Sequence, residues 1–285
     1  MAPGQVRVGT EPFLAWPGWA HLRYAGLLSL ANAIWFAVVY GGADSLTARR
    51  SFRVPVHFSA ELRIPFVPAM TVAYMSLYLL FLLAPFVLRT RRDFRAAVST
   101  LAVLIACGGI GFLLFPAQLA FPPPQEGDLG VWAGLYHFAD ALNLTYNLLP
   151  SLHVAFAVAC VAIFSSRASG TGKALLWSWA VLIAASTVLI HQHHVLDVVT
   201  GWLLAVACVR AVFSADTLHP VRAGLLGQDH PGGGPRPPDR SRDREPGRHQ
   251  CPAAGSRVAP ASRSKKGRGP TRKRSAKGRA RFELS

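Results

Sequence analysis

The chain has 285 residues, of which 51% are hydrophobic and only 15% are charged, so it is too apolar for an ordinary soluble domain. Its formal net charge of +16 is concentrated at one end, because 17 of the 30 Lys and Arg residues lie between Arg222 and Arg281. This distribution separates an apolar body from a basic tail and argues against nucleic acid as a partner, since the tail has few of the aromatic residues that stack on bases.

Three segments follow from the composition: an N-terminal cytoplasmic segment over residues 1–23, a membrane domain over 24–213 and a tail over 214–285. The tail is rich in Pro, Gly, Arg and Ser and has too few large apolar residues to form a core, so we expect it to be disordered. Its cationic side chains favour contact with anionic lipid headgroups. The alternative is that the tail is inert, or an artefact of reading Arg- and Pro-rich codons in the wrong frame.

Six apolar runs in the body are candidates for membrane spans, each of which needs about 20 mostly apolar residues. They cover residues 24–40, 69–88, 98–115, 153–164, 174–190 and 195–213. The fourth run is the shortest, and we expect its helix to take in residues from 146–152. The first run resembles a signal peptide, but it is long for one and five further runs follow it. The sequence thus predicts an all-α polytopic membrane helical bundle of about six transmembrane helices.

The charge of the connecting loops predicts the orientation of this bundle in the cell membrane. Residues 89–95, residues 165–173 and the tail are rich in Lys or Arg, and with six spans they all fall on one side, which the positive-inside rule makes cytoplasmic. The opposite, extracytoplasmic side receives residues 41–70, 116–149 and 191–194. On that side we expect an interfacial amphipathic segment over 45–62 and a short surface helix over 131–142.

Two short motifs place ionisable side chains at the starts of apolar runs. Ser151 and His153 stand at the fourth run, and His193 and Asp197 stand at the sixth. Because two spans separate these starts, both pairs fall on the extracytoplasmic face. His193 and Asp197 are four residues apart and share a face of a helix, where a carboxylate fixes the histidine tautomer and leaves the other nitrogen free to attack. The set predicts phosphoryl transfer on a lipid.

The residues of these motifs resemble a known family. Pro150-Ser151-Leu152-His153, followed by a serine and then by His193-x-x-x-Asp197 with a glycine beyond it, resembles the type-2 phosphatidic acid phosphatase superfamily. The resemblance covers about residues 60–213. Within the superfamily, the stretches 146–153 and 192–201 look most like the branch that contains inositol phosphorylceramide synthases.

The resemblance implies an enzyme that cleaves or transfers the phosphate ester of a membrane lipid through a phosphohistidine, without metal or cofactor. It would make His193 the nucleophile, Asp197 its orienting partner and His153 the general acid. The expected substrate-binding residues are Ser151, His191 and Gln192. With water as acceptor the protein would be a phosphatase, and with a polyol such as inositol it would be a phosphotransferase.

The chain departs from the superfamily where cations are expected. No Lys or Arg occurs between Arg95 and Arg167, so the first motif, with its Lys and Arg, is absent in its usual form. The third motif usually has Arg after its serine, but here Ser186 is followed by Thr187. Phosphoryl transfer depends on electrostatic stabilisation of the equatorial oxygens, so this loss should lower the rate or change the substrate. The candidate replacements are His191, His194, His137 and Arg63.

The sequence leaves three other hypotheses about function open. The histidines and Asp197 offer enough nitrogen and oxygen ligands for a zinc site, although adjacent histidines rarely hold one ion together. The missing cations suit a catalytically weak or inactive family member that binds lipid headgroups. A transporter is the third class, but the ionisable groups gather at one mouth of the bundle rather than near mid-membrane.

Overall fold

The computed structural model describes residues 12–214, so the interpretation of the basic tail lies outside the described range. Within this range the chain is helical, and a single β-bridge joins Val54 to Ala117. Five helical segments are long and apolar enough to cross a membrane: Trp19–Ala48, Pro68–Val87, Arg91–Leu114, Gly170–Leu189 and Val195–Phe213. A sixth apolar helix, Leu152–Ser165, is shorter. These helices confirm the predicted all-α polytopic membrane bundle.

The α-helices of the described range follow one another in chain order. They are α1 Trp19–Ala48, α2 Thr71–Met75, α3 Leu77–Val87, α4 Arg91–Leu114, α5 Glu126–Leu129, α6 Ala133–Ala141, α7 Leu152–Ser165, α8 Gly170–Leu189 and α9 Val195–Cys208. Short 3₁₀ turns cover Glu61–Arg63, Pro68–Met70 and Gly130–Trp132, and a π-helical turn, Val209–Phe213, extends α9. The second span is therefore built from the Pro68–Met70 turn, α2 and α3 together.

Each of the six apolar runs corresponds to an observed helical segment, and the largest difference in length is at α1, which continues beyond Tyr40 to Ala48. The amphipathic segment expected over 45–62 does not form. Beyond α1 the chain is extended, because Val54 donates its backbone N–H to the carbonyl of Pro116 (2.9 Å) instead of to a helical turn. The surface helix expected over 131–142 is present as α6.

Helix α7 lies at the centre of the bundle and carries the first motif at its start. It packs against α3, α4, α8 and α9, and nearly all of its side chains are buried. It begins at Leu152 and does not take in residues 146–151, because Ser151 is its N-cap: the backbone of Ser151 is extended and its Oγ accepts a hydrogen bond from the N–H of Val154 (3.3 Å). At 14 residues α7 is about 21 Å long, shorter than a hydrocarbon core of about 30 Å.

The order of the spans brings three connecting segments to one end of the bundle. These segments are residues 49–67, 115–151 and 190–194. They carry both motifs, together with α6 and the Glu61–Arg63 turn. At the other end the connections are short, and there the Arg167 guanidinium pairs with the carboxylate of Asp93. The two motifs thus share one end of the bundle, as the predicted topology required.

Candidate functional site

The second motif forms a histidine–carboxylate pair at the start of α9. Asp197 is fully buried, and its Oδ2 lies 3.4 Å from His193 Nδ1, at ion-pair distance but outside hydrogen-bond geometry. The same Oδ2 accepts the backbone N–H of His194 (2.9 Å), so Asp197 also caps the helix. Because Nδ1 of His193 faces the carboxylate, Nε2 is the nitrogen left to react.

A tight turn between α8 and α9 presents His193. The backbone N–H groups of Gln192 and His193 both donate to the carbonyl of Thr187, at 2.9 and 3.1 Å. His191, at the start of the turn, has a φ of 57°, a left-handed conformation that few non-glycine residues adopt. The turn is therefore held by backbone hydrogen bonds to the last residues of α8, and these bonds fix the position of the His193 backbone, from which its imidazole extends.

His153 stands in the first turn of α7 and is held by one neighbour, Tyr74. The two rings stack at 3.7 Å with an interplanar angle of 10°, and His153 Nε2 lies 2.8 Å from the backbone carbonyl of Tyr74. A carbonyl only accepts, so Nε2 carries the proton of this hydrogen bond. Nδ1 is then the nitrogen of His153 that is able to take up or release a proton.

His153 and His193 line the same cavity, which has a volume of about 500 Å³. Below them the walls are mostly apolar and come from α1, α3, α4 and α7. The apolar lining comprises Ala33, Phe36, Leu77, Phe81, Ala84, Val98, Ile105, Leu142, Leu152 and Phe156. The polar lining comprises Ser29, Asn32, Tyr40, Tyr78, Asn143 and Asn147. An apolar cavity with a few polar groups in its lining is typical of a ligand site, and this one is lined by a histidine of each motif and by residues of the spans.

A chain of hydrogen bonds connects the neighbours of the two histidines. The hydroxyl of Tyr74 donates to Asn143 Oδ1 (2.8 Å), and Asn143 Nδ2 donates to Gln192 Oε1 (2.9 Å). Gln192 Nε2 in turn donates to a carboxylate oxygen of Asp140 (2.9 Å) and to the hydroxyl of Tyr136 (3.3 Å). This series of hydrogen bonds connects Tyr74, which holds His153, to the turn that presents His193, so one network positions both histidines.

A second buried carboxylate, Glu61, supports the turn from the other side. Glu61 Oε2 lies 3.0 Å from His194 Nδ1 and accepts the backbone N–H of Val195 (3.2 Å). His194 Nε2 accepts the backbone N–H of Ala120 (3.1 Å), so Nδ1 must be the protonated nitrogen and the ring is neutral. Burial lowers the pKa of His194, against the opposite effects of the Asp197 and Glu61 carboxylates.

The other site residues predicted from the sequence do not line the cavity. Ser151 is fully buried and uses its Oγ as the cap of α7. His191 contacts the carbonyl of Ile64 through Nε2 (3.0 Å) and stacks on Phe121 (4.1 Å), while Gln192 belongs to the hydrogen-bond chain above. Their roles as substrate ligands stay predictions.

Of the proposed replacements for the missing cations, none lines the cavity. His194 is paired with Glu61, and the exposed His137 lies 3.2 Å from a carboxylate oxygen of Glu126. Arg63 is exposed on the Glu61–Arg63 turn. Over residues 12–214, the side chains that line the cavity include no Lys, Arg, Asp or Glu.

Sequence reasoning missed Glu61, Tyr74, Asn143 and Asn147 as parts of the site. Glu61 had a signal, because it is the single acidic residue between Asp44 and Asp93. Asn147 lay inside the stretch 146–153 that carries the resemblance. Tyr74 and Asn143 had no signal, since their contacts join residues far apart in the chain.

The zinc reading has no matching geometry in the described range. No group of three or more His, Cys, Asp and Glu side chains within residues 12–214 is placed to hold one metal ion.

In the comparisons with known proteins, a family model described as the PAP2 superfamily matches residues 60–211, more than half of the chain, and this range includes both motifs. No curated protein matches the chain.

Proposed function

Because the chain belongs to the PAP2 superfamily, that of the type-2 phosphatidic acid phosphatases, we propose that it is an integral membrane phosphatase or phosphotransferase acting on lipid phosphate esters through a phosphohistidine. The observation that carries the proposal is the shared cavity: His153 and His193 both line it, and its apolar walls suit a lipid chain. A finer assignment, to an inositolphosphotransferase, rests on the likeness of residues 146–153 and 192–201 to that branch.

In the first step, Nε2 of His193 attacks phosphorus in line with the leaving oxygen. The P–O bond breaks, its electron pair stays on the alkoxide, and the alkoxide takes the Nδ1 proton of a protonated His153. Asp197 stabilises the positive charge that develops on His193, since its Oδ2 lies 3.4 Å from Nδ1. The product of this step is a phosphohistidine and a free alcohol.

In the second step, water or an alcohol attacks the same phosphorus and gives its proton to Nδ1 of His153. The P–N bond breaks, and its electron pair returns to Nε2 of His193. With a lipid phosphomonoester, water releases inorganic phosphate, and an alcohol becomes a new phosphate ester. His153 therefore acts first as acid and then as base, for which the hydrogen bond from its Nε2 to Tyr74 leaves Nδ1 available.

We further propose that the site faces the extracytoplasmic side of the cell membrane. The support is the distribution of charge: residues 89–95 and 165–173 are basic and lie at the end of the bundle opposite the motifs. The same orientation puts the tail in the cytoplasm, where its Lys and Arg side chains would meet anionic lipid headgroups.

A second candidate function is that of a catalytically weak or inactive family member that binds lipid headgroups. It is favoured by the lack of Lys and Arg among the cavity-lining side chains of residues 12–214. Without such cations the charge of the equatorial phosphate oxygens is stabilised less in the transition state. Lipid binding without turnover by the wild-type protein would support this second function.

The test is an assay of phosphate release and headgroup transfer by the purified full-length chain in detergent, on a panel of lipid phosphates, with and without a chelator. We expect activity that survives chelation and falls by about 10²–10⁴-fold or more in His193→Ala. His137→Ala is the companion variant: full activity there would remove His137 from the replacements for the missing cations. Equal activity of wild type and His193→Ala would contradict the proposed mechanism, and loss on chelation alone would support a metal site.

A further inference from the structure

The asparagine four residues before Ser151 has a carbonyl oxygen with no partner. Asn147 is 3% exposed and lines the cavity with His153 and His193. Its Oδ1 has no hydrogen-bond partner within residues 12–214. Leaving a buried acceptor unpaired is unfavourable, so Oδ1 calls for a donor.

The orientation of this amide is fixed by its other end. Asn147 Nδ2 lies 2.7 Å from the backbone carbonyl of Tyr40, which only accepts, so the nitrogen must be on that side. Oδ1 is therefore an acceptor, and the missing partner is a group that carries O–H or N–H. The bond to Tyr40 also ties the residue to α1, so the position of Oδ1 does not depend on a ligand.

The chemistry of the cavity restricts what that group is. A deprotonated phosphate oxygen has no hydrogen to donate and would be repelled by Oδ1. An ammonium group needs a carboxylate when it is buried, and no Asp or Glu lines the cavity in the described part of the chain. An uncharged alcohol hydroxyl satisfies Oδ1 without either penalty.

We propose that Asn147 forms a hydroxyl-binding subsite in the cavity that His153 and His193 line, which holds a hydroxyl of a polyol group while a neighbouring oxygen of the same polyol leaves or attacks phosphorus. This inference rests on the proposed function. The polyol has two sources, the headgroup of the lipid that donates the phosphoryl group and a free acceptor alcohol. The shared chemistry is a hydroxyl adjacent to the reacting oxygen.

The experiment compares wild type with Asn147→Leu on three lipids that share their acyl chains. Phosphatidylglycerol has a hydroxyl-bearing headgroup, phosphatidylethanolamine has an ammonium and phosphatidic acid has neither. If the headgroup is the source, Asn147→Leu lowers kcat/KM for phosphatidylglycerol about five- to tenfold more than for the other two lipids, the loss of one hydrogen bond. An equal loss on all three lipids assigns Asn147 a structural role and overturns the subsite, and so does a loss confined to phosphatidylethanolamine.

A second arm tests the acceptor source, with phosphatidic acid as donor and either glycerol or methanol added. The subsite predicts that wild type transfers to glycerol more readily than to methanol, and that the ratio of glycerol to methanol transfer falls in Asn147→Leu. If neither arm shows hydroxyl-dependent selectivity in the wild type, the proposal is wrong. Transfer to both alcohols in the same ratio in both proteins also contradicts it.

Two controls separate this inference from folding and from the proposed function. Trp35→Phe removes another hydrogen bond of α1, from Trp35 Nε1 to the carbonyl of Ala102, and Trp35 does not line this cavity. It should leave the selectivity of the wild type unchanged, and the thermal midpoints of both variants report any loss of stability separately from selectivity. If the wild type turns over no lipid, the proposed function fails, and the subsite is then tested by the rise in thermal midpoint that each of the same three lipids causes. A greater rise with phosphatidylglycerol that Asn147→Leu abolishes supports the subsite. Equal rises with all three lipids overturn it.

Discussion

Gly201 packs against the backbone carbonyl of Ser151, and this contact joins the two motifs. A Cβ on Gly201 would collide with the Ser151 carbonyl oxygen and would lie 3.4 Å from the Ser151 Cβ. Four residues earlier in α9, Asp197 accepts the backbone N–H of Ser151 at its carbonyl oxygen (3.0 Å). The glycine that follows the second motif thus lets α9 approach the cap of α7, which brings His193 to the cavity that His153 lines.

Replacing Gly201 by alanine should therefore separate the motifs. The added methyl meets backbone rather than a flexible side chain, so the helices must shift, at a cost of about 1–3 kcal/mol. We expect a lower thermal midpoint in detergent and a loss of phosphate release. The matched control is Gly26→Ala in α1, where a Cβ meets nothing within 4 Å. Equal behaviour of the two variants would show that the close approach does not matter.

The carboxylate of Asp197 should matter more for rate than for stability. Asp197→Asn keeps an oxygen that is able to accept the N–H of His194, but it removes the negative charge 3.4 Å from His193 Nδ1. We expect kcat to fall by about 10²–10⁴-fold with a smaller change in thermal midpoint, because the charge on His193 develops only during the reaction. A fall in stability that accounts for the whole loss of activity would instead make Asp197 a structural cap.

The spans and the pairing of the motifs were predictable, because hydropathy and an even number of crossings depend on local sequence. His193 and Asp197 were predictable as a pair for the same reason, since four residues in a helix set their separation. The contacts that hold these groups were not. Tyr74 and His153 are 79 residues apart, and Glu61 and His194 are 133 apart. Such contacts depend on how the spans pack against one another, which the periodicity of apolar residues in the sequence does not predict.

Glu61 should be a positioning residue for the turn that carries His193. Glu61→Ala would leave the Nδ1–H of His194 and the N–H of Val195 without their acceptor in a buried place, which costs about 1–3 kcal/mol for each group. Glu61→Gln keeps an oxygen acceptor and should be milder. We expect a lower thermal midpoint and a lower kcat in the alanine variant. Glu126→Gln, at an exposed carboxylate, is the control and should resemble wild type; identical results at both sites would contradict the role of Glu61.

The buried His194 should make stability fall in mild acid. Burial lowers its pKa in the folded protein below the ordinary value of 6.5, so between these two values the unfolded chain binds a proton that the folded chain does not. Stability is therefore unaffected by this group above about pH 6.5 and decreases as the pH falls below it. Protonation would also replace the acceptor that His194 Nε2 offers to Ala120 by a donor.

The measurement is the thermal midpoint from about pH 7.5 to about pH 5, in wild type and in His194→Gln. Gln keeps one donor and one acceptor but does not titrate, so the midpoint should depend less steeply on pH in the variant than in wild type. The companion variant is His137→Gln, at an exposed histidine. The ionisable neighbours of His194, which are Asp197, Glu61 and His57, are present in every variant, so the difference between slopes reports the His194 imidazole together with its interactions with them. A slope for His194→Gln equal to that of wild type would mean that His194 binds the same number of protons in the folded and unfolded protein, and would contradict the prediction.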